Sequence, residues 1–222
     1  STSETNAKRK YRGENAAQRR ARRDQQFIEA AKVVFGDHGF QATKMRQICA
    51  EAGLTERYYY ESFGSLNDLF EAVYFRELDT LRAALDEATK NANSDPASMA
   101  KALVTAYYQL LDEDRRLARI LIVDIYSAAP NIPGLYRRGI KEFADRFGLL
   151  VAQGQSDVND QPLDASLIAT ALIGTASSLA MRWILGGYRE SRETISAHCL
   201  AVFMAVIQMN DSAQIRNSIV LN

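Results

Sequence analysis

The residues best suited to hydrogen-bond a nucleic acid lie between positions 55 and 62 of the chain. Glu56 and Arg57 begin a short helical run, and both side chains match the edges of base pairs. Arg57 can donate to O6 and N7 of guanine, and Glu56 can accept from N4 of cytosine. In the alternative interpretation, Arg57 only pairs with Glu61 four residues later, which is a contact of small energy.

Three consecutive tyrosines, Tyr58, Tyr59 and Tyr60, follow in the same run. Three consecutive positions span about 200° of a helix, so the three rings cannot all face a core. Tyr59 lies four residues before Phe63, and we expect both to face inward. At least one other tyrosine is then exposed, which favours a surface contact over the alternative of a simple aromatic core patch.

Positive charge is concentrated in the first 24 residues, which carry eight basic and three acidic side chains. The whole chain has 27 basic and 27 acidic residues, so the remainder is mildly acidic. This asymmetry predicts that residues 1–23 form a flexible basic arm that binds a polyanion, the alternative being a solvated tail. The arm residues that we predict to contact DNA are Lys8, Arg9, Lys10, Arg12, Arg19 and Arg20.

Catalytic chemistry finds no support in the sequence. The 222 residues include two histidines, His38 and His198, and two cysteines, Cys49 and Cys199. Neither histidine lies near an obvious nucleophile, and none of the patterns GxSxG, HExxH, GxxxxGK, GxGxxG or CxxC occurs. The sequence therefore predicts a protein that is not an enzyme, with no catalytic residue, no metal site and no cofactor.

The elements that position these side chains are predicted to be helices, because apolar residues recur at helical spacing and no strand alternation persists. We expect Thr43 to cap a short helix that ends at Gly53, and Thr55 to cap a second one that ends near Phe63. Two short helices joined by a turn are the outline of a helix-turn-helix. The second helix of such a motif lies in the major groove.

The residues of this motif also resemble a known family. The run over residues 43–55, TKMRQICAEAGLT, and the following Tyr60, Phe63, Ser65 and Leu69 resemble the DNA-binding domain of tetracycline-repressor (TetR) family regulators. The resemblance implies an all-α fold of about nine helices. It also implies a three-helix helix-turn-helix domain over residues 24–70 and a larger helical domain over 71–222 that binds an effector and dimerises.

The resemblance further implies roles for single residues. By analogy, Tyr60 and Tyr58 contact phosphates and Lys44 contacts the DNA backbone. Glu61, Ser62 and Leu66 depart from the family pattern, and each lowers the positive or donor content that faces DNA. The predicted DNA contacts within the domain are Thr43, Lys44, Thr55, Glu56, Arg57, Tyr58, Tyr60 and Ser62.

The second domain is predicted to hold the effector pocket among the helices of residues 96–185. Aromatic and Met side chains are the candidate lining, although most large apolar residues at helical spacing are plain core. Asp124 interrupts an apolar run and marks a polar corner of the pocket or, equally well, a buried Asp paired with an Arg. The candidates are Met99, Tyr107, Tyr108, Asp124, Phe143, Met181 and Trp183.

The last two long helices, about 164–185 and 191–209, are predicted to form a homodimer interface, the alternative being monomer core. An uncharged stretch, Ala165 to Met181, is marginal for crossing a bilayer. We expect it to be covered by protein instead. No membrane contact is expected, and the predicted location is the cytoplasm.

Together these observations predict a ligand-responsive repressor that binds a palindromic double-stranded operator and is released by a small, largely apolar effector. The long fourth helix, opened by a capping box at Ser65 and Asp68, is the expected lever between the two domains. The alternative is a helical small-molecule-binding or interaction protein that does not bind DNA.

Overall fold

The computed structural model describes residues 15–90, 92–128 and 164–220, with side chains as far as Met209, and residues 134, 139, 143, 157–158 and 161–162 of the segment between. Helices α1 to α5 are Ala16–His38, Met45–Ala52, Glu56–Ser62, Leu66–Lys90 and Pro96–Glu113. Helix α6 (Arg115–Ala118), a π-helical segment (Arg119–Asp124) and α7 (Ile125–Ala128) run on without a break. Helices α8 (Ala165–Leu185) and α9 (Arg192–Val220) come last, after an antiparallel pair of two-residue strands, β1 (Asp157–Val158) and β2 (Gln161–Pro162).

The described residues thus form eight helical runs, and the predicted all-α class is confirmed. The predicted total of about nine helices is close to this count. Helices α1 to α3 pack around an aromatic core that includes Phe27, Phe35, Tyr59 and Phe70, each at most 1% exposed. The buried face of α1 consists of Phe27, Ala30, Ala31, Val34 and Phe35.

Helix α1 begins at Ala16, within the range predicted for the basic arm. Asn15 caps it with a capping box: the Asn15 Oδ1 accepts from the Gln18 N–H at 2.8 Å, and the Gln18 Oε1 accepts from the Asn15 N–H at 2.8 Å. The prediction of a flexible arm is therefore wrong for residues 16–23, which are helical. The predicted contacts Lys8, Arg9, Lys10 and Arg12 lie outside the described residues.

The predicted boundaries of the two helix-turn-helix helices are confirmed only in part. Gly53 ends α2 in the left-handed conformation, with φ 64°, as predicted. Thr43 does not cap α2, so that prediction is wrong: its side chain is buried and its Oγ1 donates to the carbonyl of Gly39 at 2.8 Å. Lys44 is the capping residue instead. Thr55 precedes α3 as predicted, but its side chain makes no capping bond within the described part of the chain.

Helix α4 contacts α1 as well as α5 and the π-helical segment. It opens at the predicted cap, where the Ser65 Oγ accepts from the Asp68 N–H at 3.2 Å. Its 25 residues span about 37 Å. Leu69 and Phe70 lie in the core of the first domain, whereas Leu81 and Leu85 are buried further along. A long helix in contact with both α1 and α5 is suited to pass a displacement from one to the other.

Helices α5 to α9 build the second domain around α4. Its core includes Tyr108, Leu111 and Trp183, and the Trp183 Nε1–H donates to the carbonyl of Glu190 at 2.9 Å. Helix α9 packs mainly on α5 and α8. Helix α8 has the length and composition of a membrane-spanning helix, yet only 22% of its most apolar window is buried in this single chain.

Candidate nucleic-acid interface and effector cavity

Helix α3 presents two of its three tyrosines to solvent. Tyr58 is 37% exposed and Tyr60 is 62% exposed, whereas Tyr59 is 1% exposed. The Tyr59 ring packs against Phe27 and Phe63, with centroids 5.7 and 6.0 Å away, and burial raises its pKa to about 12. The packing predicted for the trio is therefore confirmed, and Tyr58 and Tyr60 are free to meet a partner.

The other predicted contacts divide into exposed and buried groups. Lys44, Thr55, Glu56 and Arg57 are exposed on the same pair of helices. Thr43 is buried, as described above. The Ser62 hydroxyl oxygen is also buried, and it has no hydrogen-bond partner among the residues described. The structure thus offers an exposed face on α2 and α3 to which the side chains of Thr43 and Ser62 contribute nothing.

Arg57 forms the contact that the alternative interpretation expected. Its Nε lies 3.1 Å from the Oε1 of Glu61, while the Arg57 side chain remains 84% exposed. An ion pair this exposed contributes little to folding. Arg57 can therefore exchange Glu61 for another partner at small cost.

Two arginines of α1 also contact Glu61. The Arg20 Nη2 donates to the Glu61 carbonyl at 2.7 Å, and the Arg23 Nη2 lies 3.7 Å from the Glu61 Oε2. The Arg23 guanidinium stacks on the Tyr58 ring, 4.4 Å from its centroid. Arg19 and Arg20, which we predicted to act in a flexible arm, lie on a helix that packs against α3. The sequence signal for this arrangement is the capping box at Asn15, which the prediction overlooked.

An apolar cavity of about 80 Å³ lies between α4, α5, α8, α9 and the π-helical segment. Its few polar groups include the hydroxyls of Tyr74, Tyr107 and Ser177. The remaining described lining is Leu78, Leu81, Leu85, Leu103, Val104, Leu121, Ile122, Gly139, Phe143, Ile173, Ala176 and Phe203.

Of the seven predicted pocket residues, Tyr107 and Phe143 line this cavity. Tyr108 and Trp183 are core residues, and the Tyr108 hydroxyl donates to the Ala176 carbonyl at 3.0 Å. Met99, Asp124 and Met181 are likewise not among the described lining residues. Sequence reasoning missed the wall that α4 contributes, although the apolar stripe of α4 runs well past the first domain and signals a second contact.

Asp124 lies instead at the junction between the two domains. Its Oδ2 accepts from the Phe40 N–H at 3.2 Å, and its Oδ1 lies 3.7 Å from the Arg119 Nε. Burial raises the pKa of Asp124, and Arg119 offsets part of that rise. This is the paired, buried Asp of the alternative interpretation.

Three further ion pairs join α1 to later parts of the chain. The Lys32 Nζ lies 2.8 Å from the Oε2 of Glu77, which is 1% exposed, and it also donates to Asp114. Arg116 binds Asp37 through two nitrogens, at 2.8 and 3.0 Å. The first domain is thus attached by charged groups to α4, to the short α5–α6 turn and to α6.

The outer face of α8 and α9 carries large apolar side chains without cover. Leu167 is 67% exposed and Val202 is 42% exposed. Within the described ranges, no group of three or more His, Cys, Asp or Glu residues is placed to hold a metal ion.

Comparison with known proteins gives three kinds of match. The family described as "Bacterial regulatory proteins, tetR family" matches residues 27–73. The transcriptional activator FasR of Mycolicibacterium smegmatis is 25% identical over 82% of this chain and 83% of its own length. The transcriptional repressor KstR2 of Rhodococcus jostii is 23% identical over 81% of this chain and 88% of its own. The crystal structure of the regulator FadR from Bacillus subtilis in complex with stearoyl-CoA is similar in fold, with a TM-score of 0.66 and 16% identity over 81% of this chain and 96% of that one.

Proposed function

The chain belongs to the tetR family of bacterial regulatory proteins and is a ligand-responsive DNA-binding transcriptional regulator, not an enzyme; from this premise we propose which surfaces bind DNA and effector, and what the effector is. We propose that α3 enters the major groove of an operator and that an effector with a long acyl chain binds at the apolar cavity and widens it. The observation that carries the effector proposal is this cavity, whose walls are almost entirely aliphatic and aromatic.

For DNA, the proposed contacts are the exposed members of the predicted set. Arg57 and Glu56 face base edges, and Tyr58, Tyr60 and Lys44 meet phosphates. Thr55 completes this face, whereas Thr43 and Ser62 are left out because their hydroxyl groups are turned into the protein. Lys8, Arg9, Lys10 and Arg12 remain proposed phosphate contacts, because residues 24–70 carry more acidic than basic side chains.

For the effector, an acyl chain matches both the chemistry of the cavity and the ligand of a similar protein. Burying methylene groups against Leu78, Leu81 and Phe203 is favourable by about 0.8 kcal/mol for each one. The FadR structure that shares this fold holds stearoyl-CoA. The hydroxyls of Tyr107 and Ser177 are the polar groups available to orient a polar end of the ligand.

The π-helical segment offers a direct route between effector and DNA. Leu121 and Ile122 line the cavity. Asp124 of the same segment pairs with Arg119 and accepts a hydrogen bond from Phe40, which lies between α1 and α2. π-Helical turns are rare and frequently lie at functional sites. An effector that displaces this segment changes the placement of the reading helix, and by linkage DNA opposes effector binding equally.

The experiment measures DNA affinity by fluorescence anisotropy, with a duplex from the promoter region beside the protein's own gene. Stearoyl-CoA is titrated against the complex, and coenzyme A and acetyl-CoA serve as controls that lack the long chain. We expect stearoyl-CoA alone to weaken DNA binding, by about 5- to 150-fold. If acyl-CoA binds and leaves DNA affinity unchanged, the release mechanism is contradicted. If it tightens DNA binding, the protein is a repressor or activator that needs the acyl ligand to bind DNA.

A cavity variant separates effector binding from DNA binding. Ala176→Leu fills part of the cavity, whereas Ala83→Leu adds the same atoms at an exposed position of α4. We expect Ala176→Leu to bind DNA normally and to lose its response to stearoyl-CoA, and Ala83→Leu to keep both. An unchanged response in Ala176→Leu places the effector elsewhere.

We also propose that α8 and α9 form the interface of a homodimer, which would hold two reading helices about 34 Å apart on a palindromic operator. The uncovered Leu167 and Val202 and the low burial of α8 support a second copy of the chain as the cover. The cytoplasm is the proposed location, because the operator is there. Light scattering tests the interface: Val202→Glu should yield monomers with weaker operator binding, whereas a dimer that survives refutes this surface.

A further inference from the structure

Glu61 is the one acidic side chain described on α3 that gathers arginines from two helices. Its carbonyl accepts from Arg20, and its two carboxylate oxygens face Arg23 and Arg57. The Glu61 side chain is 39% exposed, so the cluster lies at the surface. It adjoins Tyr58, one of the residues proposed to meet DNA.

The arginines in this cluster are oriented but not saturated with hydrogen bonds. Arg23 is held by stacking on Tyr58 at 4.4 Å, and its nearest approach to the Glu61 carboxylate is 3.7 Å. Its Nε is buried and has no hydrogen-bond partner in the described part of the chain. Arg57 bonds Glu61 through its Nε alone among the contacts seen. Arg23 therefore retains donors for a phosphate, and Arg57 retains donors for a base edge.

A DNA phosphodiester has the chemistry to replace that carboxylate. Like a carboxylate, it offers two charged oxygens to the planar fork of an arginine. The Arg57 side chain is 84% exposed, so its pair with Glu61 is readily exchanged in water. The backbone bond from Arg20 to the Glu61 carbonyl does not depend on the carboxylate and would remain after the exchange.

We propose that Glu61 occupies a phosphate-binding position at the edge of α3 in the free protein and thereby sets the specificity of DNA binding. The inference rests on the proposed DNA interface. Non-specific binding depends almost wholly on phosphate contacts, whereas operator binding also uses base edges. A carboxylate that competes with phosphate therefore weakens binding to any duplex, and a correct operator overcomes this competition through its base contacts.

The test replaces Glu61 by glutamine and measures binding to a random-sequence duplex and to the operator over a range of salt concentrations. Glu61→Gln removes the charge and keeps the size and the carbonyl that Arg20 binds. We expect affinity for the random duplex to rise about three- to tenfold, with a salt slope steeper by about 0.9 for one added phosphate contact. We expect the ratio of operator to random affinity to fall.

The matched control is Glu87→Gln. Glu87 also pairs with a neighbouring cation, Lys90 at 2.6 Å, but it lies at the far end of α4 from α3. Both variants change the net charge equally, so a general charge effect appears in both and the proposed effect in Glu61→Gln alone. Thermal unfolding of both variants shows whether the fold is intact.

Three outcomes overturn the proposal. Random-duplex affinity and salt slope equal to those of Glu87→Gln show that Glu61 does not compete with phosphate. Weaker binding to both duplexes together with a lower unfolding temperature shows that Glu61 only joins α1 to α3. If the wild-type protein binds neither duplex, the proposed DNA interface itself fails. A double variant, Glu61→Gln with Arg23→Gln, should return random-duplex affinity toward the wild-type value, because it also removes the proposed phosphate partner.

Discussion

Helix α1 is held by carboxylate–cation pairs near both of its ends, and the two ends differ in burial. Near its beginning, Arg23 meets Glu61, whose side chain is 39% exposed. Near its end, Lys32 meets Glu77, whose side chain is 2% exposed. The pairing chemistry is the same, but one carboxylate is in contact with water and the other is enclosed between α1 and α4.

Burial decides which of these pairs can change partners. An exposed ion pair is worth about 1 kcal/mol or less, because water replaces either partner. Removing one partner of a buried pair leaves an unpaired charge away from water and costs several kcal/mol. The end of α1 beside α3 can therefore exchange contacts with DNA, while the other end stays attached to the effector domain.

The largest expected effect comes from breaking the buried pair. Lys32→Met removes the cation and leaves the Glu77 carboxylate with only the partly buried Arg76 nearby, at 3.2 Å. We expect the free energy of unfolding to fall by about 3 kcal/mol in chemical denaturation. The control is Lys90→Met, which breaks a fully exposed pair with Glu87 and should leave the denaturation midpoint unchanged.

The pH dependence of the stability of Lys32→Met tests whether charge is the origin of the effect. Burial lowers the pKa of Lys32, but hydrogen bonds to Asp114 and Glu77 outweigh it, so the net shift is upward from 10.5. A cation with a raised native pKa adds stability that is present below 10.5 and is lost as the pH rises through the native value. The stability gap between wild type and Lys32→Met should therefore narrow in strong alkali, and a constant gap would show that charge is not its origin.

An intermediate effect is expected where the junction uses a hydrogen bond to the backbone. Asp124→Ala leaves the buried Phe40 N–H without its acceptor, which costs about 1–3 kcal/mol. Asp124→Asn keeps an oxygen for that bond and should unfold near the wild-type midpoint. We also expect Asp124→Ala to weaken the coupling between stearoyl-CoA and DNA, measured as the change in DNA affinity.

The charge of Asp124 should appear in the pH dependence of these two forms. Because burial raises its native pKa above 3.8, the wild type loses stability as the pH rises through the native value. Asp124→Asn has no such loss, so its stability relative to wild type should increase over that range. If the stability difference between Asp124→Asn and the wild type does not vary with pH, the ionised carboxylate of Asp124 does not destabilise the protein.

The helices were predictable because their signals are local. Apolar spacing predicts the buried faces of α1 and α4, and Gly53 marks the end of α2 through its need for positive φ. The start of α1 was misplaced because a high density of arginine was interpreted as disorder, although Asn15 and Gln18 carry the pattern of a cap. Charge composition is a weaker guide to order than capping geometry.

The candidate sites were less predictable because they depend on contacts between distant residues. Thr43 has the residue type of a helix cap, but Gly39 offers its hydroxyl an acceptor in the opposite direction. Asp124 interrupts an apolar run in either interpretation, and only its pairing with Phe40 and Arg119 assigns it to the junction. The cavity wall from α4 follows from packing that no single helix encodes.

The smallest effect on folding is expected at the exposed end, where it is matched by a large effect on function. Arg57→Ala breaks an ion pair whose arginine side chain is 84% exposed. The change should alter the free energy of unfolding by no more than about 0.5 kcal/mol. If Arg57 contacts a guanine, the same change costs about 1–3 kcal/mol in operator binding and relaxes the preference at one base pair. Anisotropy with the operator and with variants substituted at single base pairs measures both. A uniform loss over all sequences would make Arg57 a phosphate contact, and a loss of stability as large as that of Lys32→Met would remove the distinction between exposed and buried ion pairs.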